Sequence, residues 1–215
     1  MAVQVAIPGM RRINHRVADM VYAADVGVDG ITTVDIPAMP AASSNAILAA
    51  QSVNAAGVAV PIASFNPAMM GRYGRNFTGT LSAVGSCTVI VTGYDYLGQP
   101  MREQLGVANS LTLGQKMFAD ISSISFSAVA GLTLNLGFGN ILGVPYKVLN
   151  TQMLGETVND LVPTAGALQT GVTVQTLTSG DPRGRYTPNQ SPGGTTFYRF
   201  TCFVDRNNLH GSAHV

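Results

Sequence analysis

Apolar and polar residues alternate at every second position in several short runs, and this period constrains the fold more than any other feature of the chain. One run places Leu134, Leu136 and Phe138 on the same side of an extended backbone. Glycine and proline clusters separate the runs, as turns require. Short strands joined by turns, with little helix, predict a mainly β fold: an antiparallel β-sandwich or jelly roll. The strand-like runs are Thr78–Leu81, Cys87–Thr92, Ile121–Phe126, Thr133–Phe138, Val172–Gln175 and Thr195–Val204.

The beginning of the chain has a different pattern. Val3–Ile7 alternates as a short strand would. Ser43 or Ser44 is placed to cap an alanine-rich helix over Asn45–Ala56, which would stop at Gly57. Such a helix buries little area by itself, because its apolar side chains are mostly alanine.

This change of pattern divides the chain in two. We expect residues 1–70 to form an extended N-terminal arm and linker with little regular structure. We expect residues 71–215 to form the β-sandwich, jelly-roll-like domain. An arm of this kind finds its partners on another chain.

Charged side chains are scarce, which bounds the possible partners. They make up 11% of the 215 residues, against roughly 25% in an ordinary soluble domain. The net charge is +1, so there is no basic field for nucleic acid. Only Lys116 and Lys147 among the twelve cations are lysines, and interfaces enrich arginine and deplete lysine. Codon usage in a GC-rich genome explains the arginines equally well, but the low charge favours a surface that neighbours cover.

The stretch Ile36–Gly71 carries no charge, which raises the question of a membrane span. Four prolines and several amide side chains interrupt it, whereas a spanning helix needs about 20 predominantly apolar residues. We therefore expect no membrane span, and the residues after Arg12 do not resemble a signal peptide. Cys87 and Cys202 are the only cysteines. Two distant thiols predict buried, reduced side chains rather than a disulfide scaffold or a zinc ribbon.

The segment TVIVTGYDYLGQPMREQL, residues 88–105, contains two carboxylates that a hairpin would bring near each other. Asp95 and Glu103 flank its Gly-x-Pro corner. Glycosidases use two facing carboxylates, one with a raised pKa, so a catalytic pair is one interpretation. The other is turn chemistry, in which Asp95 accepts local amides and Glu103 pairs with Arg102 or lies at an interface. An isolated pair of this kind favours the second interpretation.

The glycines of Gly137–Gly143 follow a spacing related to the dinucleotide-binding fingerprint. That site needs a helix after the glycines, and Pro145 would break one. A loop at the end of a strand is the favoured interpretation. Asp181–Pro188 contains two arginines and one aspartate between turn residues. One interpretation is a sugar- or phosphate-binding loop. The other is a surface loop whose arginines reach a neighbouring subunit, and the absence of a basic field around the loop favours it.

The three histidines are His15, His210 and His214, and none stands at metal-ligand spacing with another ligand. The last two lie in a Gly/Ser-containing tail that we expect to fray. A Ser-His-Asp set stays open at this point, because its members are neighbours in space rather than in sequence. We assign no catalytic, cofactor-binding or metal-binding residue, and we expect no enzyme activity and no cofactor.

Three stretches together resemble segments of virion structural proteins of tailed bacteriophages. They are the hairpin just quoted, LTLNLGFGNILGVPYKV at 132–148 and TSGDPRGRYTPNQSPGGTTFYRFTCFV at 178–204. The capsid cement, or decoration, proteins are the most similar in architecture. Proteins of that class have a jelly-roll body and use an extended arm and loops to clamp neighbouring capsid subunits.

The resemblance implies a non-enzymatic protein that binds the major capsid protein on the outer capsid surface of the virion, after synthesis in the host cytoplasm. It also implies self-association, as a homodimer on the capsid lattice, with no direct contact to nucleic acid or membrane. Two alternatives stay open: a tail or head-tail junction component, and a carbohydrate- or receptor-binding β-sandwich of the tail. For the latter, Tyr94, Tyr96 and Tyr186 are the candidate aromatic platforms, since the chain has no tryptophan.

Overall fold

The computed structural model describes residues 21–23 and 29–215, and β-strands make up most of the regular structure there. One turn of 3-10 helix, Pro67–Met70, is the only helix in these residues. In chain order the strands are β1 Val21–Ala23, β2 Asp29–Ile36, β3 Ser43–Ser52, β4 Gly57–Ala59, β5 Arg75–Leu81, β6 Cys87–Tyr94, β7 Pro100–Val107, β8 Thr112–Leu113, β9 Asp120–Phe126, β10 Thr133–Gly143, β11 Val148–Val158, β12 Ala167–Thr170, β13 Gly184–Thr187 and β14 Tyr198–Asp205.

These strands form three antiparallel sheets. Sheet I has the order β1-β2-β14-β11, and sheet III has the order β4-β9-β6-β7. Sheet II has the order β12-β13-β10-β5-β8, with β3 paired to β10 as well. The predicted fold class, a mainly β antiparallel sandwich or jelly roll, is confirmed.

Two hydrophobic cores lie between the sheets, and the alternation of the strands produces them. Leu134, Leu136 and Phe138 of β10 enter the first core, between sheets II and III. The inward residues of β14 enter the second core, between sheet I and the β12–β13 part of sheet II. Those residues are Tyr198, Phe200, Cys202 and Val204. Burial of one side of each strand therefore follows the period of two that the sequence shows.

The helix predicted over Asn45–Ala56 is wrong, because that segment contains β3. In β3, Leu48 pairs with Leu136 and Gln51 pairs with Leu134 of β10. Ile47 and Leu48 are buried in the first core. Pairing and burial against β10 override the helix preference of alanine, which is worth well under ~1 kcal/mol per residue.

The prediction of an extended arm with little regular structure over residues 1–70 is wrong for residues 29–70, which belong to the body of the chain, and we keep the name N-terminal arm for residues 1–20. β2 pairs with β14, β3 with β10, and β4 with β9. The predicted strand Val3–Ile7 lies outside the described residues. The strand predicted over Val172–Gln175 is wrong, since this segment is a loop in which Gln175 Nε2 donates to the carbonyl oxygens of Val172 at 2.8 Å and Gly180 at 3.2 Å.

Candidate interaction surface and buried ionic cluster

The corner between β6 and β7 is a turn that Asp95 builds. Its Oδ1 accepts hydrogen bonds from the backbone amides of Leu97 and Gln99, both at 2.8 Å. Gly98 has a φ of 76° and donates its amide to the carbonyl of Asp95. That conformation favours glycine, because a side chain there is strained. The turn chemistry predicted for Asp95 is therefore confirmed.

The other oxygen of Asp95 joins the hairpin to the Asp181–Pro188 loop. Arg183 Nη1 donates to Asp95 Oδ2 at 2.6 Å, and the two side chains are only 2% and 1% exposed. Arg183 Nε lies 3.6 Å from Asp181 Oδ1, and the guanidinium lies over the ring of Tyr96. The prediction that this loop is a surface loop whose arginines reach a neighbouring subunit is wrong for Arg183, because its partners are within its own chain.

Glu103 occupies the inward side of β7. Its carboxylate accepts hydrogen bonds from the backbone amides of Gln115 and Lys116. Burial raises the pKa of Glu103 to about 7, although both amides and the Lys116 charge oppose the rise. The predicted pairing with Arg102 or an interface is wrong, because Arg102 points outward from the same strand and is exposed.

Lys116 and Asp181 complete the buried cluster. Lys116 is fully buried, and its Nζ has no hydrogen-bond partner within the described structure. Burial lowers the pKa of Lys116, while the nearby charges of Glu103 and Asp181 raise it. Asp181 accepts the backbone amides of Met117 at 3.1 Å and Arg183 at 3.0 Å. The cluster thus links the β6–β7 hairpin, the β8–β9 connection and the loop before β13.

The acid pair considered for catalysis is not one site. Asp95 binds Arg183, whereas Glu103 binds backbone amides of the β8–β9 connection. Burial works to raise the pKa of Asp95, but contacts with His214, with Arg183 and with the Gln99 amide hold it well below its usual range. The two carboxylates therefore have separate partners and opposite pKa shifts.

A cavity of about 260 Å³ lies beside Asp95, and residues 210–214 form one wall of it. His214 Nε2 lies 3.4 Å from Asp95 Oδ2, and the His214 side chain is only 2% exposed. The expectation of a frayed tail is therefore wrong for His214. Ser212 Oγ donates to the carbonyl of Thr173 at 2.9 Å, and neither ring nitrogen of His214 has a hydrogen-bond partner in the described structure, so no hydroxyl is bonded to this imidazole as a Ser-His-Asp set requires.

In residues 21–23 and 29–215, no group of three or more His, Cys, Asp or Glu side chains is arranged to hold a metal ion. His15 lies outside the described residues. In the same part of the chain, no helix is long and apolar enough to cross a membrane. Cys87 and Cys202 are both buried and free, as predicted.

The glycines of Gly137–Gly143 allow close packing of strands. The predicted loop is wrong, because the segment is the second half of β10. A Cβ on Gly137 would lie 1.7 Å from the carbonyl oxygen of Ser43, and one on Gly143 would lie 1.9 Å from that of Tyr73. Backbone contacts at these distances require glycine.

The candidate aromatic platforms have separate locations. Tyr186 is fully buried in the second core, where its hydroxyl donates to Glu156. Tyr96 lies under the Arg183 guanidinium and donates to the carbonyl of Pro145. Tyr94, on the hairpin, is 43% exposed. Of the three, Tyr94 alone presents an exposed ring.

The surface of the described chain has few charges. Residues 30–215 contain seventeen charged side chains, of which only Arg72, Arg102, Asp160 and Arg199 are exposed. Six others are buried: Arg75, Asp95, Glu103, Lys116, Asp181 and Arg183. The other seven are half-buried, so the described surface carries few fully exposed charges.

Large apolar side chains replace charges on much of this surface. They are Val58, Val60, Val84, Tyr94, Leu97, Leu111, Leu113, Leu154, Leu161, Val162, Val174 and Val215. The exposed charges are unevenly placed, since Arg72 and Arg199 line one shallow cavity with Asp35 beside sheet I. Sheet III contributes only Arg102.

Comparison of the chain with protein-family models, with curated proteins and with solved structures finds no match.

Proposed function

We propose that this chain is a non-enzymatic virion structural protein of a tailed bacteriophage, and specifically a cement protein that clamps major capsid protein subunits. The observation that carries the proposal is the sparsely charged surface: four exposed and seven half-buried charges in residues 30–215. The core of a protein interface is depleted of charged residues relative to the rest of the surface. A protein that works alone in solution relies on surface charge to remain monomeric.

The resemblance of the three sequence stretches adds support to the proposal. In the structure, two of these stretches are in direct contact. Arg183 of the third stretch binds Asp95 of the first at 2.6 Å. A rigid link between these segments holds the hairpin tip, with Tyr94 and Leu97, in a fixed position on the surface. Fixed apolar groups lose less entropy on binding than mobile ones.

In this proposal the β-sandwich bridges capsid subunits on the outer surface, and the arm reaches a neighbour. Each contact is weak, but a tethered second contact is effectively intramolecular, so many copies together stabilise the shell. Ordering the arm costs ~1–2 kcal/mol per backbone residue and must be offset by burial at the interface. Two copies pair on the lattice two-folds, the commonest closed arrangement.

Cosedimentation with capsids that lack this chain tests the proposal. Because the surface is nearly neutral, the bound fraction should change less than twofold between low salt and 1 M NaCl, where ionic attraction is screened within ~3 Å. The bound fraction is also measured for Val162→Lys and Leu161→Lys, which place a charge on exposed apolar positions. It is compared with the bound fraction of the matched control, Asp160→Lys. Failure of the wild-type chain to sediment with capsids at any salt concentration would contradict the proposal.

A receptor- or carbohydrate-binding role in the tail is the second candidate, and Tyr94 favours it. Its exposed ring lies on the hairpin whose tip, with Leu97 and Gln99, lines the cavity beside Asp95. Loops of β-sandwiches commonly carry such sites. Binding of host polysaccharide that Tyr94→Ala removes and Tyr94→Phe retains would support this role over the cement role.

A further inference from the structure

The outer edge of β4 is an open strand edge. On one side β4 pairs with β9, where Val58 lies opposite Ser125 and Ala59 opposite Ile124. On the other side, no residue of the described chain makes a backbone hydrogen bond with Gly57–Ala59. The unpaired N–H and C=O groups of such an edge are a template for pairing with another extended strand.

The side chains of β4 alternate in a way that suits an added strand. Gly57 lies against the ring of Phe126, and Ala59 packs on the first core. Val58 and Val60 point outward and are 73% and 69% exposed. The edge therefore has a buried side that is already packed and an outer side with two uncovered valines.

β4 has neither a charge nor a bulge to protect its edge, and its protection is limited to its length of three residues and to Pro61, which follows Val60. Charged side chains and bulges commonly block edge pairing, whereas Ile36–Gly71 contains no charge. The edge of β7 differs, because Val215 and Leu177 accept the amides of Arg102 and Gln104. β8 is open as well but has only two residues. Val58 and Val60 at β4 form a row of two exposed apolar side chains, as Leu111 and Leu113 do at β8, and β4 is the longer of these two strands.

We propose that Val3–Ile7 of the N-terminal arm binds this edge as an added strand. Val3, Val5 and Ile7 fall on one side of an extended chain, and they would extend the row of Val58 and Val60. Cross-strand pairs of β-branched residues each contribute roughly 0.2–1 kcal/mol. Strand addition to an exposed edge is a recurrent docking mode.

The chain between this segment and the body is long enough. β1 begins at Val21 on the edge of sheet I. The residues between Ile7 and Val21 span up to ~45 Å when extended, against a radius of gyration of ~17 Å for a domain of this length. The arm is therefore long enough to reach a distant edge such as β4, and the choice of a neighbouring copy over the same chain rests on the proposed function.

Cysteine trapping in the full-length chain tests the docking. Val3, Val5 and Ile7 are changed to Cys one at a time, each together with Val58→Cys, so that the three pairs cover the possible registers. Cross-strand disulfides form when the Cβ atoms are ~3.5–4.5 Å apart. Cys87 and Cys202 are fully buried and do not compete. The matched controls pair the same arm positions with Val84→Cys, which is 86% exposed, or with Leu113→Cys on β8.

We expect at least one Val58 pair to form a disulfide tenfold faster than the Val84 and Leu113 controls, on non-reducing gels with peptide mapping. A disulfide between chains supports both the docking and the reach to a neighbour. A disulfide within one chain supports the docking and contradicts the intermolecular arm. The inference is overturned if disulfides form equally fast with Val84→Cys, if they form preferentially with Leu113→Cys, or if none forms at any register. Capsid cosedimentation tests the proposed function separately.

Discussion

Arg183 Nη1 and Asp95 Oδ2 are 2.6 Å apart across 88 positions of sequence, and both side chains are almost completely buried. This ion pair fixes the β6–β7 hairpin on the loop before β13. Two carboxylates, Asp95 and Asp181, depend on the one guanidinium. The pair therefore acts as an internal cross-link of the fold.

Arg183→Met should strongly destabilise the chain, because it leaves Asp95 and Asp181 buried without their cation. Removing one partner of a buried ion pair costs about 3–5 kcal/mol, which lowers Tm by roughly 10 °C or more for a chain of this size. The check is urea unfolding followed by circular dichroism. Arg199→Met is the matched control, since its pair with Asp35 is exposed and its loss should have little effect. Equal changes in the two variants would contradict the cross-link.

Glu103 should make the chain more stable at acid pH. Its pKa is raised by burial to about 7 in the folded chain, from an ordinary value of 4.5, so the folded state holds its proton more tightly. Its contribution is complete below pH 4.5 and is lost as the pH rises through 7. Since one pKa unit corresponds to about 1.4 kcal/mol, the loss is on the order of 3 kcal/mol.

Comparison with Glu103→Gln isolates this contribution from that of Asp95. The pKa of Asp95 is depressed, so Asp95 contributes stability above its ordinary pKa of 3.8, and this is lost as the pH falls through the folded value. The free energy of unfolding of the wild type, minus that of Glu103→Gln, should fall between pH 4.5 and 7. A difference that is flat or rises over that range is the opposite outcome.

Gly137→Ala should disrupt the pairing of β3 with β10. The added Cβ would lie 1.7 Å from the Ser43 carbonyl oxygen, so the two strands would have to separate. We expect a loss of about 1–3 kcal/mol or more, as for overpacked sites. Gly155→Ala in β11 is the control, because its Cβ would meet no atom within 4 Å. Urea unfolding of both variants checks this, and an unchanged midpoint for Gly137→Ala would count against it.

The sequence predicts the strands well where one side of each is buried. β5, β6, β9, β10 and β14 lie where alternation places them, because burial of one side imposes the period of two. The sequence predicted a helix instead of β3 because its alanines favour a helix locally. Only pairing with β10 makes the segment a strand. Local sequence does not contain that pairing.

The ionic cluster was beyond prediction for the same reason. Arg183 and Asp95 look like turn residues in their own segments, and only the tertiary fold joins them. The sequence did contain one indication for Glu103, because Glu103 lies on the same side of β7 as the buried residues Met101 and Val107. A carboxylate on the apolar side of a strand indicates a buried partner, and here the partners are backbone amides.

We propose that neighbours in a virion lattice cover the sparsely charged surface of this chain. The amount of this chain relative to the major capsid protein in purified virions, measured by gel densitometry or quantitative mass spectrometry, tests it most directly. We expect near-stoichiometric amounts, as for a cement protein. A handful of copies per virion would contradict it and assign the chain to the tail or the head-tail junction.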